Sequence, residues 1–143
     1  MDKDTKIQDV MSKNPTCIDP QSTIKEASIK MKDVDTGFLP VCESGRLIGA
    51  ITDRDIVVRG IAEGLDTNDN VSNIMSKNIT YCFDNEPLEE AAEKMQQEGI
   101  RRVAVLDQNK RLVGVLSLDD IAVKVNAESL TAETLKEVNK NII

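Results

Sequence analysis

The sequence contains no histidine and no tryptophan, and its aromatic residues are Phe38, Tyr81 and Phe83. Without histidine the commonest general base, the Ser-His and Cys-His nucleophile pairs and the commonest zinc ligand are all missing. Carboxylates and lysines remain for acid–base chemistry, but no recognisable catalytic constellation accompanies them. The expectation is a protein that is not an enzyme. Basic charge is in deficit too: 18 Lys and Arg against 25 Asp and Glu give a formal net charge of −7. That balance argues against nonspecific binding to nucleic acid or to an anionic membrane, and few aromatics are available for base stacking. No apolar run approaches the roughly eighteen residues that span a bilayer. The N-terminal MDKDTKIQDV has no apolar core of a secretory signal, so the expected location is the cytoplasm.

Cysteine is scarce as well. Cys17, Cys42 and Cys82 are odd in number, form no C-x-x-C pair, and each lies in a strand-like stretch, where cysteine behaves as a small hydrophobe. Their spacing predicts buried, reduced thiols and no metal site.

What the chain does have is a repeat. DVMSKNPTCIDP at 9–20 matches NIMSKNITYCFD at 73–84, and TIKEASIKM at 23–31 matches PLEEAAEKM at 87–95. FLPVCESGRLIGAITDRDI at 38–56 then matches RVAVLDQNKRLVGVLSLDDI at 102–121, with one added residue at the turn, so the offset of 64 becomes 65. Ile24, Ala27, Met31 and Val34 carry the spacing of an amphipathic helix, repeated by Leu88, Ala91, Ala92 and Met95. Leu39 and Val41, then Leu47 to Ile51, read as two strands around a turn at Glu43-Ser44-Gly45. Val103 to Leu106 and Leu112 to Leu116 repeat them around Gln108-Asn109. A second helix starts after Thr52 and after Ser117, and a short initial strand is expected at Thr16–Ile18 and at Thr80–Cys82.

Each unit thus reads β-α-β-β-α, and the fold class is α/β (α+β), with two units packed about a pseudo-two-fold axis. The expected boundaries are 7–63 and 73–126, joined by a connector at 64–72 that includes the polar GLDTNDN. A unit of about sixty residues is marginal alone, so the two must cover each other's apolar faces. In the tail, 127–143, Thr131 is placed to cap a last helix bearing Leu135, Val138 and Ile142 on one side. That helix either folds back on its own domain or braces a partner.

The motif Gly49-x-x-Thr52-x-x-Asp55 returns as Gly114-x-x-Ser117-x-x-Asp120. Thr52 with Asp55, and Ser117 with Asp120, are serviceable capping boxes and need no ligand. The same groups also suit a guest: a helix N-terminus offers amides to a phosphate, a hydroxyl adds to them, and an aspartate can accept the hydroxyls of a ribose. Glycine would keep the strand end bare for the ligand. Both readings stand on the residues alone.

The duplicated unit ending in G-h-h-[ST]-x-x-D resembles a tandem pair of CBS domains, named after cystathionine β-synthase and also called a Bateman module. VMSKN, GFLPVCESGRLIGAITDRDIVVRG and IRRVAVLDQNKRLVGVLSLDDIA carry the resemblance, which covers about residues 7 to 125. It implies a stand-alone, non-catalytic regulatory protein that binds AMP, ADP or ATP in clefts between the units, senses energy state, and signals to an unidentified protein effector. The nucleotide is then a regulatory ligand and no cofactor is implied. By position, Thr52 and Ser117 would contact phosphate and Asp55 and Asp120 would hold ribose. The adenine would sit among residues of the first short strands, Thr16, Cys17, Ile18, Thr80, Tyr81 and Cys82, and near the strands opening at Phe38, Leu39 and Pro40 and at Arg102, Val103 and Ala104.

The copies differ in charge. Arg54 stands inside the first motif, whereas Asp119 stands there in the second and repels phosphate. Arg101 and Arg102 precede the second repeat's strand and either bind phosphate bidentately or form a solvated surface pair. The sites are therefore not expected to be equivalent. The resemblance and the excess apolar face of the second helices (Ile56, Val57, Ile121, Ala122, Val125) both point to a homodimer in which two pairs stack into a disc. The alternative function is a structural dimerisation protein whose motifs only cap helices.

Overall fold

Ser44 and Gly45 both take positive φ, 53° and 79°, as a two-residue type I′ hairpin turn requires. They join β2 (Phe38–Glu43) to β3 (Arg46–Thr52). Glu43, expected in the turn, is instead the last residue of β2 and stands opposite Arg46. In the second repeat the added residue lengthens the connection between β5 (Arg102–Leu106) and β6 (Leu112–Ser117). There the Asp107 carboxylate accepts the backbone N–H groups of Asn109 and Arg111, each at 2.9 Å. A computed structural model describes residues 4–129; the tail helix expected beyond Thr131 lies outside the described residues.

The helical stripes form as their spacing predicts. Thr23 and Glu26 close a capping box at the start of α1 (Ile24–Val34), which buries Ile24, Ala27 and Met31. Val34 departs from that stripe at 43% exposure. α2 (Leu88–Glu98) buries Leu88, Ala91 and Met95 and closes on Gly99 at φ 65°, a left-handed cap that glycine adopts without strain.

β1 (Ser12–Lys13), β6, β5 and β4 (Tyr81–Phe83) lie in that order in one sheet. β4 runs parallel to β5, and the other two pairings are antiparallel. The first repeat's sheet is a reduced copy: β2 and β3 form the ladder, Ala50 bridges to Ser76 on one side, and Ile18 bridges in parallel to Val41 on the other. The strand expected at Thr16–Ile18 is thus a single bridge. Pro15 and Pro20 bracket it, where β4 has Ile79 and Asp84, and proline cannot donate to a ladder.

The two sheets exchange their edge pieces. β1, from the first repeat, is the edge of the second repeat's sheet, with Ser12 opposite Val115. Ser76, from the second repeat, exchanges backbone hydrogen bonds of 2.9 and 3.0 Å with Ala50 of the first. The cores follow. Val71, Ile74 and Met75 pack with Ile24, Ala27, Leu39, Val41 and Ile51, while Ile7, with Val10 and Met11 against it, packs with Leu88, Val103, Val105 and Leu116. Each repeat therefore completes the apolar interior of the other.

The second helices differ. α3 (Leu118–Ser129) is a regular α-helix, but after Thr52 the chain widens into a π-helical segment over Asp55–Gly60 and a 3-10 turn over Ile61–Glu63. Ile56, Val57 and Val58 are consecutive β-branched residues that crowd an α-helical turn, and Gly60 follows them.

Candidate functional site

Both motifs are closed capping boxes. The Asp55 backbone N–H donates to the Thr52 hydroxyl at 3.1 Å, and the Thr52 N–H donates to Asp55 Oδ2 at 2.9 Å. Asp120 and Ser117 repeat this at 3.0 and 2.9 Å. What differs is the setting of the carboxylate. Asp55 Oδ1 faces the Arg59 guanidinium at 3.8 Å, whereas Asp120 lines a cleft that Asp55 does not reach.

A cleft of about 370 Å³ opens beside Ser117 and Asp120, within the size range of small-molecule sites. The first repeat supplies Ser12 to Thr16, Val34 to Thr36 and Phe38 to Pro40; the second supplies Arg102, Val115, Ser117, Asp119 and Asp120. The exposure of Val34 is explained by its place on this lining. The Phe38 N–H donates to the Thr36 hydroxyl at 3.2 Å, which fixes the start of β2 at the mouth of the cleft. Of the anticipated residues, Thr16, Phe38, Leu39, Pro40, Arg102, Ser117 and Asp120 meet here. Cys17 and Ile18 do not line it, and Ile18 points into the first core. Arg101 lies outside, its guanidinium 3.9 Å from Asp119 with both side chains exposed, an arrangement that adds little stability. Ser12, Lys13, Asn14, Asp35 and Thr36 were not anticipated; the signal for the first three is Ser-Lys-Asn at 12–14, repeated at 76–78.

The pseudo-symmetric set is otherwise engaged. Cys82, Val103 and Ala104 are each 0% exposed, with no side-chain surface to offer a ligand. The Thr80 hydroxyl donates to the Glu98 carboxylate, where the first repeat has Val34. Tyr81 packs edge-on to Phe83, ring centroids 5.7 Å apart, and its carbonyl accepts from Lys94 at 2.8 Å. Arg54 is exposed. A neighbouring cavity of about 460 Å³ is lined by Arg59, Ser72, Asn73 and Met75 to Asn78, without Thr52, Arg54 or Asp55.

Two expectations are corrected. Gly49 and Gly114 do not hold the strand ends bare for a ligand, because Met75 and Ser76 lie over Gly49, and Met11 and Ser12 over Gly114. Nor are all three thiols buried: Cys82 is, but Cys42 is half-buried and Cys17 exposed. The Cys42 thiol donates to Cys17 Sγ at 3.3 Å. That hydrogen bond holds the Cys17 thiol down at about 7 and pushes Cys42 up. Burial raises the Cys82 thiol to about 11.

The CBS domain model matches residues 7–60 and 71–126. The chain belongs to the CBS domain family. The CBS domain-containing protein YhcV of Bacillus subtilis is 37% identical over 93% of this chain and 94% of its own length. Hypoxic response protein 1 of Mycobacterium tuberculosis is 37% identical over 82% of this chain and 83% of its own. A solved structure of Hypoxic Response Protein I, with two coordinated zinc ions, matches with a TM-score of 0.76, covering 82% of this chain and 97% of that one. The CBS domain pair of protein MJ0100, in complex with 5′-methylthioadenosine and S-adenosyl-L-methionine, is 28% identical at a TM-score of 0.78, covering 87% of this chain and 98% of that pair. CBS domain proteins are in general regulatory, ligand-binding and non-catalytic. Among the described residues of this CBS pair, no group of three or more His, Cys, Asp and Glu is placed to hold a metal ion, and no helix is long and apolar enough to cross a membrane.

Proposed function

We propose that this CBS pair is a non-catalytic regulatory module that holds an adenosine-containing ligand in the cleft between its repeats and reports occupancy to a protein partner. What supports this is the meeting, in one cleft, of the Ser117–Asp120 helix start with Thr16 and Phe38 to Pro40 of the other repeat. The Asp120 carboxylate accepts ribose hydroxyls, the amides at the start of α3 and the Ser117 hydroxyl face a phosphate, and Arg102 adds a bidentate donor. The base lies by Phe38 and Thr16, the partly exposed residues on that side of the cleft.

The charge of the lining selects among adenosine compounds. Asp35, Asp119 and Asp120 oppose Lys13 and Arg102, three acids against two cations. Such a cleft favours AMP over ATP. It also favours uncharged or cationic adenosine thioethers and sulfonium compounds, the class bound by the related MJ0100 pair. The ligand is regulatory, and no nucleic acid or membrane is involved. Two copies associate through Val57, Val58 and Ile61, which are exposed on one short helical stretch, and the protein works in the cytoplasm.

A thermal-shift panel of AMP, ADP, ATP, 5′-methylthioadenosine and S-adenosylmethionine tests the ligand. At 100 times its dissociation constant a ligand adds about 2.7 kcal/mol, a rise of roughly 5–11 °C for a chain of this size. Asp120→Asn should abolish that rise while leaving the protein folded. The closed capping boxes favour a second reading, a structural dimerisation protein, which a panel without any shift would select.

A further inference from the structure

We propose that Cys17 and Cys42 form a dithiol that exchanges with low-molecular-weight disulfides, closing an intramolecular bond beside the ligand cleft. The two residues are 25 positions apart in sequence, but the parallel bridge from Ile18 to Val41 brings their sulfurs to 3.3 Å. Ile18 and Val41 turn inward to the first core, and the neighbouring cysteines turn out, Cys17 exposed and Cys42 half-buried. A disulfide requires sulfurs about 2 Å apart, so side-chain rotation of roughly an ångström closes the bond. No other His, Cys, Asp or Glu joins this pair to make a three-ligand metal group among the described residues.

The pair divides the labour of exchange. Cys17 is the accessible sulfur, and the thiol proton of Cys42 points at it, which holds Cys17 near 7; an attacking thiol works best with a pKa near ambient pH. The Cys17 thiolate attacks one sulfur of oxidised glutathione, the glutathione disulfide breaks, and one glutathione thiolate leaves and takes up a proton. Cys42 then gives its proton to solvent and its sulfur attacks Cys17 in the mixed disulfide. The Cys17–Cys42 bond forms and the second glutathione leaves as its thiolate, which takes up a proton in its turn. The protein loses two electrons and two protons, and the disulfide is reduced to two thiols. The new bond ties the segment carrying Pro15 and Thr16 to β2 next to Pro40, and those three residues line the cleft.

The experiment incubates the reduced full chain in glutathione buffers of increasing oxidised fraction, quenches with acid, and reads intact mass and free thiols. The thiol count should fall from three to one with loss of two hydrogens and no retained adduct, and a peptide map should join Cys17 to Cys42. Cys42→Ser should trap a single glutathione on Cys17, while Cys82→Ala should leave the reaction unchanged. Three thiols surviving in oxidised glutathione, an adduct that persists on the unaltered chain, or a bond between two copies would each overturn the proposal. The wild-type measurement decides by itself, so the result does not depend on a variant folding, nor on whether any adenosine compound binds.

Discussion

The thioether sulfur of Met75 stands 2.7 Å from the point where a β-carbon on Gly49 would lie, and the Ser76 carbonyl oxygen stands 3.0 Å from it. Met11 and Ser12 crowd Gly114 in the same way, with the Ser12 carbonyl at 2.9 Å. A methyl group at either glycine meets backbone that cannot rotate aside. Gly49→Ala and Gly114→Ala should each destabilise the ligand-free protein by about 1–3 kcal/mol, the usual cost of overpacking, read from urea midpoints. Were the glycines bare for a ligand, the ligand-free midpoints would not move.

Ile74 and Ile7 should act on the repeat they do not belong to. Truncation of a buried Ile to Ala typically costs about 2–5 kcal/mol, and both are almost fully buried. Hydrogen exchange should show lost protection in β2 and β3 for Ile74→Ala, and in β5 and β6 for Ile7→Ala. Losses confined to each residue's own repeat would contradict the exchanged cores.

The two motif aspartates should separate in ligand assays. Asp55→Asn and Asp120→Asn each remove a charge beside a helix start, worth roughly 0.3–1 kcal/mol. Asp55 already faces Arg59 and lies outside the cleft, so its variant should keep the full ligand-induced shift that the Asp120 variant loses. Asp119→Ala removes an acid from the lining and should raise the shift given by ATP more than that given by AMP. Equal responses of all three variants would count against the assignment.

Alkylation by iodoacetamide should be ordered by the thiols' surroundings. The Cys17 group is held at about 7, so its rate should fall as pH drops through 7, where the thiolate takes up its proton. Cys82, raised to about 11 by burial, should stay inert across the same range. In Cys42→Ala, which removes the donor, the Cys17 profile should move to higher pH. Coincident profiles for Cys17 and Cys82 in the wild type would show that the Cys42 hydrogen bond does not activate Cys17.

Val57 and Ile61, at 60% and 50% exposure, are the anchors of the proposed self-association. Val57→Asp with Ile61→Asp should convert a dimeric mass in light scattering to a monomeric one at tens of micromolar. A wild type of monomeric mass would remove the dimer from the proposal.

Periodic signals in the sequence led to α1, α2 and the two hairpins, because Ile24, Ala27 and Met31 or Leu39 and Val41 interact with near neighbours. The exchange of Met11 and Met75 was not legible: the repeats share VMSKN, and a segment serving its own repeat has the same local pattern as one serving the other. The loss of the first short strand was written in Pro15 and Pro20. Half of the cleft was legible, since Ser117 and Asp120 belong to a motif, whereas Asp35 and Thr36 enter only through the way α1 ends. The Cys17–Cys42 contact was hidden by its 25-residue separation, which only the Ile18 bridge closes.

The exchanged edges also set an order of events during synthesis. The Ser12–Lys13 strand is made roughly a hundred residues before its partners on β6, so at 5–20 residues per second it waits on the order of 5–20 s for them. The β2–β3 hairpin waits in turn for Val71, Ile74 and Met75. A nascent chain halted in the 64–70 connector would hold one unfinished apolar interior, the apolar Ile7, Val10 and Met11 with no interior to enter, and an open sheet edge. Folding is therefore a closing step that depends on β6 leaving the ribosome, and an interrupted chain is the form most exposed to aggregation and proteolysis.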